Sequence, residues 1–354
     1  MRLLSSVPCF VAFVTLFFVS GVSANAVHGH PPPLTRAAVM ANATLITWAP
    51  KQALPFIILG NKIYTSALTP VMSLPDDMGG VEYARWNETG ARVLVGDKEM
   101  LVLIDFPHRR VLHVWPQTSD ACWTSEGILR ISSSASGEYT LQVGSQEAAV
   151  PKHMQVQATT DDGSCLLGWK SQPSVNGAPA HLNAALLFRT HGAKFIVRPV
   201  RSIRWDVGSK NPYGDRLVAA GREMVISAGA TGMRDKTYVE LYSVNLDTMR
   251  SRHLLYSDGA VSSYLTNYKG AVYGAFHRSQ HLTPLQKPAY SQIAIRNGVI
   301  RRQRDLSSSS VCYGHSKTSN REAYLNLAGN VLTIRVCESG RQIAEYHRFV
   351  APNR

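Results

Sequence analysis

The sequence predicts an all-β chain folded as a β-propeller of six or seven blades, with tandem β-sandwiches as the alternative. Three observations lead there. Windows with apolar residues at three-and-four spacing are scarce, whereas short β-branched and aromatic runs bounded by Gly, Asn, Asp and Pro recur to the end. The runs come in pairs joined by a tight polar turn, and the second run often opens on a basic residue. The turn centres fall near residues 61, 106, 145, 192, 247, 297 and 339, so the unit repeats every ~40–55 residues, the spacing of propeller blades.

The clearest unit is Met100–Asp105, a turn at Phe106-Pro107-His108, then Arg109–Trp115. Tyr238–Val244 turns near Asp247 into Arg250–Tyr256, and Val331–Val336 turns at Glu338-Ser339-Gly340 into Arg341–Phe349. Weaker copies turn near Asn61, Ser145, Gly192 and Asn297-Gly298. Asn-Gly is a strong hairpin signal because both residues accept positive φ. A blade needs four strands, and runs such as Cys165–Lys170 and Gly270–Phe276 supply further ones. No Trp-Asp or kelch-type glycine signature repeats, so the pattern names no propeller family.

Residues 1–26 have the plan of a cleaved signal peptide. Arg2 precedes an apolar run from Phe10 to Val22, and Val22-x-Ala24 and Ala24-x-Ala26 offer small-residue cleavage frames. The run is short for a membrane span of about 20 residues. Residues 27–42 then form a Pro-rich, structureless lead-in and 43–354 the propeller. Export makes the four remaining cysteines candidates for two disulfides, and proximity in sequence favours Cys122–Cys165 and Cys312–Cys337. Asn42 and Asn87 head Asn-x-Thr sequons and are candidate glycosylation sites.

Thr159-Thr160-Asp161-Asp162-Gly163-Ser164-Cys165-Leu166 resembles the Asp-box of sialidases and related propellers, Ser/Thr-x-Asp-x-Gly-x-x-Trp. Leu166 replaces the aromatic, and Trp169 follows shortly. The resemblance implies a turn between outer strands, closed by the Asp and the Gly. A sialidase-like site would also need a Tyr activated by a Glu and an arginine cluster for a carboxylate. Tyr238 and Glu240 are the candidates for the pair, since they share one face of a strand with Tyr242. Arg198, Arg201 and Arg204 are close in sequence, but the family's Arg-Ile-Pro motif is absent. No Gly-x-Ser-x-Gly elbow, His-Glu-x-x-His helix or phosphate-binding glycine loop is present. His28-x-His30 has a copper-binding flavour but reads better as a plain tail, so neither metal nor cofactor is expected.

Charge is the better pointer. The chain carries 37 Lys and Arg against 24 Asp and Glu, a formal charge of +13. An exported cation is matched to anionic surroundings. Arg301, Arg302 and Arg304 cluster after Asn297-Gly298 and are the candidate binding residues. The sequence therefore predicts a secreted recognition protein of effector, adhesin or surface type. Its partner would be an anionic glycan, a membrane surface or an extracellular protein, and no nucleic acid is expected. A sialidase-like or other glycan-processing enzyme is the first alternative, and a structural matrix or coat component the second.

Overall fold

The computed structural model describes residues 34–36, 39, 44–78, 80–97, 99–134, 136–172, 181–206, 213–231, 237–257, 265–278, 289–307 and 309–351. The signal-peptide segment, His28, His30 and Asn42 lie outside them. The described chain forms seven antiparallel sheets of four strands, each built from consecutive strands in chain order. They span 44–73, 83–116, 118–149, 154–206, 213–257, 266–305 and 310–349, and are called blades 1 to 7. The first strands of successive blades touch one another around the axis, for example Tyr83–Trp86 against Thr118–Thr124 and Thr44–Thr47 against Ser310–His315. The fourth strands form the outer rim.

Six of the seven predicted turns join the third and fourth strands of a blade. The turn near Asn61 joins the second and third strands of blade 1 instead. At Asn297 and Gly298 φ is 51° and 66°, the left-handed pair that a two-residue hairpin turn requires. Cys165–Gln172 and Ala271–Arg278 are second strands, close to the runs expected.

The core lies between blades, because each sheet is covered on both faces by its neighbours. Apolar clusters fill the contacts of blades 1 with 2, 2 with 3, 3 with 4, 4 with 5, 5 with 6 and 7 with 1. Between blades 6 and 7 the described side chains are polar and aromatic. Gln292 Nε2 donates to Tyr313 Oη at 2.9 Å and to Glu322 Oε2 at 2.8 Å, and Tyr324 Oη donates to Gln292 Oε1 at 3.3 Å. The Tyr273 and His315 rings stack at 4.0 Å and 9°.

The ring closes through the lead-in, which is not wholly structureless. Thr35 forms a parallel bridge with Ala351; Ala351 N donates to Leu34 O at 3.0 Å and Arg36 N to Ala351 O at 3.1 Å. Leu34 and Val39 pack with Val350 among side chains of blades 1 and 7. The two ends of the propeller chain are thereby tied together.

The two expected disulfides are not formed: Cys122, Cys165, Cys312 and Cys337 are free and buried. Sheet geometry explains both cases. Cys122 packs between blades 3 and 4, whereas Cys165 faces blade 5 from the other side of the same blade-4 sheet. Cys312 and Cys337 lie on the first and third strands of blade 7, opposite Leu325 and Glu322 of the strand between them. Two strand spacings are about 9–10 Å, beyond the ~7 Å that a disulfide can bridge. Burial pushes the Cys122, Cys165 and Cys312 thiols up to about 12, so these thiols are unreactive in the folded state. Alkylation without reductant should label no more than traces of them natively and all four in denaturant; a denatured chain with blocked cysteines would show that pairing does occur.

Candidate functional site: a paired axis and an unpaired rim

The axis is filled by charges that neutralise one another. Arg85, on the first strand of blade 2, is only 3% exposed and Asp120, on the first strand of blade 3, 4%. Arg85 Nη1 and Nη2 reach Asp120 Oδ1 and Oδ2 at 2.6 and 3.3 Å, a fork on a carboxylate. The same guanidinium donates through Nε to Asp161 Oδ1 at 2.9 Å, and to the carbonyls of Ala121 and Thr159. Asp120 also accepts the backbone N–H groups of Ala121 and Thr159, each at 2.8 Å. Lys317, after the first strand of blade 7, meets Asp161 Oδ2 at 2.7 Å. Arg216, from the first strand of blade 5, crosses to Glu82 at the start of blade 2, Nη2 to Oε2 3.0 Å. Three cations thus balance three carboxylates, which is what burial of charge requires.

A cavity of about 80 Å³ opens beside this network, where the first strands turn into the second. Trp48, Trp86, His315 and Lys317 are among its walls. His315 is 6% exposed and its ring donates through Nδ1 to Ser316 O at 2.7 Å. Burial lowers its pKa below the ordinary 6.5. On acidification the unfolded chain protonates this ring before the folded one does. The stability it contributes is therefore present above the ordinary pKa and lost as pH falls towards the lowered value. We expect a thermal midpoint that drops as pH falls below about 6.5, and a flatter profile in His315→Gln. Equal slopes in the two proteins would show that His315 is not the group responsible.

Among the described residues the groups of a sialidase-like site are not brought into contact. Glu240 lies on the third strand of blade 5, away from the axis, and its carboxylate accepts the Tyr242 hydroxyl. His253 Nε2 is 3.5 Å from the same carboxylate. Tyr238 shares that strand; its side chain lies outside the described residues. The arginines that would grip a carboxylate, Arg198, Arg201 and Arg204, are on the outer strand Lys194–Asp206 of blade 4. Glu240 is engaged by Tyr242 and His253, and Arg198 donates to Leu246 O rather than to a carboxylate. The Asp-box likeness fails in the same way, because the segment joins the first and second strands of blade 4 rather than outer ones. Asp162 closes that turn, accepting Ser164 N at 3.0 Å and Thr160 Oγ1 at 2.7 Å, while its neighbour Asp161 points to the axial network.

The rim is different in kind. Arg301, Arg302 and Arg304 are exposed on the fourth strand of blade 6, Val299–Asp305. The register places Arg302 and Arg304 opposite Ala294 and Gln292, hence on one face, and shifts at Arg301, which is left unpaired in a bulge. The fourth strands of blades 4 to 7 together carry ten Lys and Arg against three carboxylates. None of Arg198, Arg201, Arg252, Arg301, Arg302 and Arg304 makes an ion pair among the described residues. Asn87, at the first turn of blade 2, donates to Thr89 Oγ1 at 3.0 Å and accepts Arg92 N at 2.9 Å.

This ring of seven four-stranded blades around a packed axis makes the chain a seven-bladed β-propeller. No protein-family model matches it, and neither does any curated protein. Solved propeller-containing structures do resemble it. A chain from a structural and mechanistic analysis of two prolyl endopeptidases is 9% identical with a TM-score of 0.50, over 90% of this chain and 53% of that one. BamB from Moraxella catarrhalis is 11% identical with a TM-score of 0.36, over 86% and 87%. The Pan2 WD40 domain of Neurospora crassa is 11% identical with a TM-score of 0.46, over 77% and 80%. The chain spans about half the length of the first of these, and at such identities the likeness concerns the fold alone.

Proposed function

We propose that this propeller acts by binding an anionic ligand at its outer rim. The observation that carries the reading is the contrast in charge pairing. Among the described residues the axial cations Arg85, Arg216 and Lys317 each meet a carboxylate, whereas Arg301, Arg302 and Arg304 stand exposed without one. An axis whose acids are held by guanidinium groups and backbone N–H groups lacks the pair of poised carboxyls that glycoside hydrolysis uses. The signal-peptide pattern of residues 1–26 and the sequon at an accessible turn favour an exported glycoprotein. An acidic polysaccharide is then the ligand source that fits the compartment.

Retention on immobilised heparin should be strong at low salt and fall steeply as salt rises, since attraction between exposed charges is screened within about 10 Å at 0.1 M. Replacing Arg301, Arg302 and Arg304 with serine should weaken retention by about tenfold or more, by loss of counterion release. It should leave the thermal midpoint nearly unchanged, because surface substitutions rarely cost more than about 0.5 kcal/mol. A wild-type protein that passes through heparin at low salt would refute the reading.

A further inference from the structure

The backbone joins two blade edges at a seam that carries four arginines, Arg198, Arg201, Arg250 and Arg252, with Asp247 of the adjoining turn held by Arg222 at 3.7 Å. Arg201, on the outer strand of blade 4, forms a parallel bridge with Arg250, which leads into the outer strand of blade 5. Arg201 N donates to Met249 O at 2.9 Å and Ser251 Oγ to Arg201 O at 2.8 Å. Arg198 Nη1 reaches across the same seam to Leu246 O at 3.2 Å. Two non-glycine residues flanking the bridge, Ser202 and Met249, have φ of 73° and 56°. That left-handed conformation costs about 1 kcal/mol or more for an L-residue, so the seam forms against a local penalty. Arg198, Arg201, Arg250 and Arg252 are all exposed. Like charges held side by side repel, by about 1 kcal/mol at 4 Å even in water.

We infer that this seam and the arginines of blade 6 are two stations of one binding belt, whose ligand is an extended, flexible, sulfated or carboxylated polysaccharide running along the rim of blades 4, 5 and 6. The inference rests on the rim-binding reading above and adds the ligand's shape and path. Blades 4, 5 and 6 are consecutive, so a chain leaving Arg201 and Arg250 meets Arg252 and then, over the edge of blade 6, Arg302 and Arg304 on its blade-7 side, without crossing an acidic outer strand. The outer strand of blade 3, Gln146–Ala149, contributes only Glu147, which ends the belt on that side. Curvature selects among polyanions. A propeller of this length has a radius of gyration of about 20 Å, whereas duplex DNA bends over about 50 nm. A flat bilayer meets a convex rim at one or two blades. A flexible glycan can follow it.

The test measures affinity of the full chain for full-length heparin, a short heparin oligosaccharide, single-stranded oligothymidine and phosphatidylserine vesicles, as a function of salt. The variants are Arg201→Ser with Arg250→Ser at the seam, and Arg301→Ser, Arg302→Ser and Arg304→Ser on blade 6. Each set should weaken full-length heparin by about tenfold or more and lower the log–log salt slope by roughly one per cation removed. The short oligosaccharide should bind far more weakly than the long chain and respond to one set only. Equal affinity for short and long chains, or a seam variant indistinguishable from wild type, would overturn the belt while leaving a local blade-6 site intact. Tighter binding of oligothymidine or vesicles than of heparin would overturn the glycan assignment. If the seam variant keeps its heparin affinity but aggregates, the arginines guard a strand edge instead. Absence of heparin binding by wild type would remove the rim-binding reading itself.

Discussion

Arg85→Met is expected to lower the free energy of unfolding by about 3–5 kcal/mol, a large fraction of a domain's total. Arg85 supplies both arms of the fork on Asp120 and the bond to Asp161 from within a nearly sealed axis. Removing it leaves Asp120 buried with, among the described residues, the N–H groups of Ala121 and Thr159 as its donors. Breaking one partner of a buried pair costs far more than the pair is worth, because the remaining charge is stranded. Arg85→Lys should not rescue it, since an ammonium cannot match two carboxylates and two carbonyls at fixed angles. Adding Asp120→Asn to Arg85→Met should recover part of the loss by removing the stranded charge. Urea denaturation measures all of these, with a constant m-value as the check that only stability has changed. A loss below about 1 kcal/mol would mean that water reaches the axis and screens the pair.

Trp169→Ala should cost about 3–5 kcal/mol by emptying an aromatic site in a close-packed core. Trp169 is fully buried on the second strand of blade 4 and belongs to the cluster shared with Leu217, Met224 and Ile226 of blade 5. The same interface carries the Arg201–Arg250 bridge at its outer end. Amide hydrogen exchange at Arg201 should therefore quicken more in this variant than exchange in blades 1 and 2. Uniform change across the ring would show that the blades unfold as one unit and that no interface is local.

What was readable in the sequence follows from strand geometry. In blades 2 and 4 to 7 the third and fourth strands are long and joined by tight turns, so Met100–Asp105 with Arg110–Pro116, and Val331–Glu338 with Arg341–Phe349, stand out as hairpins. First strands such as Thr266–Tyr268 have three residues, too few for a period to show. The axial network was invisible because it joins residues far apart in the chain. Arg85 meets Asp161 76 positions away, and Lys317 comes from the last blade. Asp161 and Asp162 look alike as a turn pair, and only the fold sends one to the axis and keeps the other in the turn. The four cysteines beyond the signal segment misled because Cys122, Cys165 and Cys312 are small apolar side chains in inter-blade contacts, and parity carries no information about which face they occupy. Arg301, Arg302 and Arg304 were legible because clustering is local; the seam was not, since Arg201 and Arg250 lie on different blades.

Axial arginines hold the ring together, and the proposed function assigns the ligand to the rim arginines. Mass-spectrometric mapping of arginine modification by a dicarbonyl reagent, with and without saturating heparin, tests it most directly. Arg301, Arg302 and Arg304 should react in the free protein and be protected by heparin, whereas Arg85 should stay unmodified in both. Reaction at the rim that heparin leaves unchanged, or protection confined to other arginines, would contradict it.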